Sequence, residues 1–135
     1  NEQGWQVLTR LVSTDDDPNV RAEAANALAS YGVERAWPLL RESFAKDGAW
    51  LVRCSILSAL AEQPDINPAW LLDLGRQAIA DADGTVRVSG AEILARVVRE
   101  QTGDANGSEA RALLQPLQQD ADHRVVAAAL NGLQP

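Results

Sequence analysis

Four times along the chain an aspartate precedes, by five residues, a valine that opens a run of small apolar residues: Asp15/Val20, Asp47/Val52, Asp81/Val86 and Asp120/Val125. An arginine follows the valine in three of them, as Arg21, Arg53 and Arg87, and the runs close on Leu28, Leu60, Leu94 and Leu133. The valines are 32, 34 and 39 residues apart. Self-similarity at such a period belongs to a repeat array, in which a unit too small to enclose its own apolar face buries it against its neighbours. The boundaries fall near residues 1–32, 33–64, 65–101 and 102–135, within one domain spanning 1–135.

Each period reads as an outer helix, an acidic turn and an inner helix. Trp5, Leu8, Leu11 and Val12 recur at helical spacing and define one face of the first outer helix. The turn that follows ends in Asp17-Pro18, an N-cap residue and a proline at the first helical position, where a missing amide hydrogen is harmless. The inner helix then runs from Pro18 towards Gly32. Trp50 to about Ala61 forms the second inner helix, Asn67-Pro68 starts the third outer one, and the third inner helix extends from beyond Asp83 to about Glu100. The polar stretch from Thr102 to Gly107 reads as the loop that lengthens the last period, with Ser108 as the next cap and Leu113, Leu114 and Leu117 turned inward. Trp5, Trp37 and Trp70, at equivalent positions, are expected to stack as a core ladder.

Composition agrees. Alanine and leucine dominate the 46% apolar fraction and aromatic residues make up only 4%, as suits closely packed helices. Nineteen acidic against twelve basic residues give a net charge of −7, which disfavours a nucleic acid or an anionic membrane as partner. The single Cys54 has no internal disulfide partner, which fits a reducing, cytoplasmic setting.

The segment Asp17-Pro18-Asn19-Val20-Arg21-Ala22-Glu23-Ala24-Ala25-Asn26-Ala27-Leu28 resembles the signature of HEAT repeats, in the short form found in phycobilisome (bilin) lyases. Asp83-Gly84-Thr85-Val86-Arg87, with Ala91 and Leu94, resembles it too. The second repeat departs at Ala49-Trp50 and the fourth at Val126, which stands in place of the arginine. The resemblance implies an all-α fold, an α-solenoid of four HEAT-like helix pairs, about eight helices, wound as a right-handed superhelix. It also implies a structural polar ladder between repeats, drawn from Arg21, Arg53 and Arg87 and from the turn aspartates Asp17, Asp83 and Asp122.

Helical phase places Glu23, Asn26, Ser55, Ser58, Ser89, Glu92 and Asn131 on the face that inner helices turn to a concave side. That row suits a protein partner better than an apolar cofactor, so no cofactor is expected. Trp50 has no equivalent in the other repeats and is a candidate anchor for the partner; packing onto a neighbouring turn is the competing role. The fourth inner helix, through Val125, Val126, Ala127 and Leu130, shows no polar outer side, so its face is expected to pack on further repeats, another domain or a second copy.

Catalytic and metal motifs dissolve into the repeat. Asp81-Ala82-Asp83-Gly84-Thr85-Val86 looks like a phosphatase nucleophile segment, but the same positions recur as turns at Asp15/Asp17 and Asp120/Asp122. The run Asp15-Asp16-Asp17 lacks the glycine and distal glutamate of a calcium loop. His123 is the only histidine, too little for a metal site and with no nucleophile to activate. The pattern therefore favours a non-catalytic interaction scaffold; a bilin lyase-like or phycobiliprotein chaperone subunit is the alternative the resemblance leaves open.

Overall fold

The computed structural model describes residues 1–135 and is all-helical, with eight α-helices, one 3₁₀ turn and no strand. The chain divides into two compact units, Asn1–Pro64 and Asp65–Pro135, at the boundary between the second and third repeats. The first unit holds α1 (Glu2–Thr14), α2 (Pro18–Tyr31), α3 (Val33–Lys46) and α4 (Trp50–Ala61). The second holds α5 (Pro68–Ala78), α6 (Gly84–Glu100), α7 (Ala105–Leu114), the 3₁₀ turn Gln115–Gln119 and α8 (His123–Leu133).

Inner helices are the hubs of both units. In the first, α2 packs on α1 and on α4; in the second, α6 packs on α5, α7 and α8. The leucine that closes each run is the reason: Leu28, Leu60 and Leu94 are fully buried, as are Val52, Val86 and Val125. Burying a leucine or valine side chain stabilises by about 1.5–3 kcal/mol, so these repeat positions carry much of the fold. Val20 and Leu133, the exceptions, are only half-buried.

Small residues set how closely the helices approach. A Cβ on Gly90 of α6 would lie 2.6 Å from Ala78 Cβ and 3.2 Å from the α5 backbone, and one on Gly132 of α8 would lie 2.7 Å from Ala95 Cβ of α6. Helix termini follow the cap grammar. Asp17, Asn67, Asp83 and Asp122 each accept a hydrogen bond from a first-turn amide, at 2.8–3.0 Å. Ala49 has no side chain for this role, and α4 starts without a side-chain cap.

Two local expectations are corrected. The final outer helix starts at Ala105, not after a loop reaching Gly107, and its cap is Asp104, which accepts from the Asn106 and Gly107 amides. Ser108 lies inside the helix. Gly107 is there because a Cβ would strike the Gln101 carbonyl. Leu117 turns inward from the 3₁₀ turn rather than from α7, since the helix tightens at Gln115-Pro116.

The three tryptophans of the expected ladder differ in burial. Trp5 is buried, but Tyr31 meets it edge-on at 6.0 Å and the Arg35 guanidinium lies 4.0 Å from its ring centroid. The core stripe of α3 is Ala36, Leu40 and Phe44, and Trp37, about 20° from Phe44 around the helix, is half-buried at its edge. Trp70, about 40° from Leu74, is likewise half-buried at the edge of the α5 stripe.

Candidate functional site

The turns must be described first, because they fix where every inner helix begins. The first aspartate of each turn folds back on it: Asp15, Asp47, Asp81 and Asp120 accept from the amide two residues on, at 2.8–3.0 Å. The arginine after the signature valine closes the same turn from the helix side. Arg21 donates to the Asp15 and Asp16 carbonyls, Arg53 to the Asp47 carbonyl, and Arg87 to those of Asp81 and Ala82.

The same guanidinium then reaches the next turn. Arg21 forms a two-pronged pair with Asp47, Nε at 2.9 Å and Nη2 at 3.1 Å, and Arg87 pairs with Asp120 at 3.0 and 3.1 Å. The acceptors are thus Asp47 and Asp120, whereas Asp17, Asp83 and Asp122, expected in that role, cap helices. The sequence carried the needed signal, since Asp47 and Asp120 are the aspartates of the five-residue spacing. A guanidinium fork matches a carboxylate in plane, so these pairs are directional as well as electrostatic.

Electrostatics follow the geometry. Burial opposes ionisation of Asp47, yet the Arg21 hydrogen bonds, the Ala49 amide and the nearby arginine charges hold its carboxyl below the usual range. The Arg87 hydrogen bond, with the Asp122 amide, does the same for Asp120. Asp122 is lowered to about 2, chiefly by the side-chain bond from Arg124 and by that residue's amide. Arg21 and Arg87 are correspondingly raised by their aspartate partners. None of these groups is poised to exchange a proton near neutral pH, which fits a structural role.

The predicted interaction row divides between the units. In the first, Glu23 and Asn26 of α2 and Ser58 of α4 are exposed, while Ser55 is half-buried and donates to the Ala22 carbonyl across the α2–α4 contact at 3.0 Å. Ser55 thereby works as a packing group. The side chains of Glu23 and Asn26 make no hydrogen bond or ion pair. In the second unit, Glu92 of α6 and Asn131 of α8 are exposed and Ser89 is half-buried.

Trp50 resolves more sharply. It opens α4 with 48% of its surface exposed, the most exposed of the large apolar side chains. Cys54 and Ser58 follow it at four-residue intervals along the helix, so the three form one slanted row. Away from this face, a groove of about 210 Å³ lies between α1 and α3, with Val12 and Leu39 in its floor and the Lys46–Glu42 ion pair on its rim. No group of three or more His, Cys, Asp or Glu residues is arranged to hold a metal ion, and no helix is long and apolar enough to cross a membrane.

Antiparallel helix pairs joined by acidic turns and tied to the next turn by arginine define a helical-repeat architecture. Residues 1–61 match the family model described as HEAT repeats. A comparison with curated proteins finds no match.

Proposed function

We propose that the protein is a non-catalytic scaffold whose first unit docks a protein partner on the exposed sides of α2 and α4, with Trp50 as anchor. The observation that carries this is Trp50 itself: a large aromatic residue, 48% exposed at the start of a helix, where the other repeats have Pro18, Gly84 and His123. Leaving indole surface in water is unfavourable, and tryptophan is enriched among the residues that dominate binding energy in interfaces. On the same two helices the exposed Glu23, Asn26 and Ser58 offer carboxylate, amide and hydroxyl groups, which suits a peptide or protein surface rich in hydrogen-bond donors. HEAT repeats are commonly protein-interaction scaffolds, and the match over residues 1–61 covers this face. A net charge of −7 favours a basic partner through faster encounter at low salt.

The test is affinity capture from the native source, repeated with Trp50→Ala and with charge reversal at Glu23. Loss of one partner with Trp50→Ala, while the variant keeps its helical circular dichroism, supports the assignment. A partner retained by all the variants removes it. The likeness to bilin-lyase repeats makes a bilin the competing ligand. A shift in the absorption of an added bilin, alone or with a partner subunit, would replace the scaffold reading with that of a lyase-like subunit.

A further inference from the structure

We draw no further inference here: the strongest candidate, the groove between α1 and α3 with Val12 and Leu39 in its floor, carries nothing, because nothing in the structure shows what covers it.

Discussion

Replacing Asp47 by alanine should destabilise the chain more than any other single change in the turns. The Asp47 side chain is 8% exposed and takes three hydrogen bonds, two from Arg21 and one from the Ala49 amide. Removing it leaves that amide without its acceptor and Arg21, 18% exposed, without its counter-charge. Hydrogen bonds to charged groups contribute about 1.5–3 kcal/mol each, but Arg21 keeps the Asp15 and Asp16 carbonyls and is partly reached by water. The net loss should therefore be about 2–3 kcal/mol, which for a chain of 135 residues lowers the melting temperature by roughly 7–11 °C. Arg21→Ala should cost about 2 kcal/mol, and the double variant less than the sum by about 1–2 kcal/mol, because the pair can be lost only once. Urea denaturation of the four proteins measures the cycle. If the two substitutions are additive within about 0.5 kcal/mol, the fork between Arg21 and Asp47 is not a coupled interaction and the account of the turns is wrong.

Glycine positions give a graded test. Gly90→Ala should lower stability by about 2 kcal/mol, since the new methyl meets the rigid α5 backbone, and Gly75→Ala by about 1–2 kcal/mol, since it meets Cγ and Cδ2 of the fully buried Leu94 and only that side chain must shift. Asp104→Ala should cost about 1 kcal/mol and raise amide exchange in the first turn of α7 specifically. Acid should unfold the chain through its paired carboxylates. Asp47, Asp120 and Asp122 have folded values below 3.8, so the stability they add is complete above that pH and disappears as the pH falls through their folded values, about 2 for Asp122. Asp120→Asn should flatten the melting temperature between about pH 4 and pH 2, and an unchanged acid limb would contradict the assigned pairs.

Much of this architecture was legible because it is written twice, in apolar spacing and in cap residues. Pro18, Trp50, Pro68 and Gly84 open their helices where those signals place them. The misreadings share one physical cause: several residues could satisfy the same local rule. Asp104 and Ser108 are both good caps, and only the close approach of Gly107 to the Gln101 carbonyl decides between them. Each full turn carries two aspartates of identical chemistry, and which one caps and which receives an arginine depends on a neighbour some thirty residues away. The exposed face was harder still. Ser55 and Ser58 look alike in sequence, yet one is bonded to α2 and the other is open to solvent.

The double role of Arg21 and Arg87, each closing its own turn and gripping the following one, bears on how such a chain changes length. A segment cut from one turn to the same point in the next carries a donor for the turn ahead and an acceptor for the arginine behind. Gaining or losing a whole segment leaves every join closed, whereas a cut of any other length strands a charge. Growth by whole helix pairs is therefore mechanically permitted up to the first position that lacks its guanidinium. In this chain that position is Val126, where the rule for adding another unit stops being met.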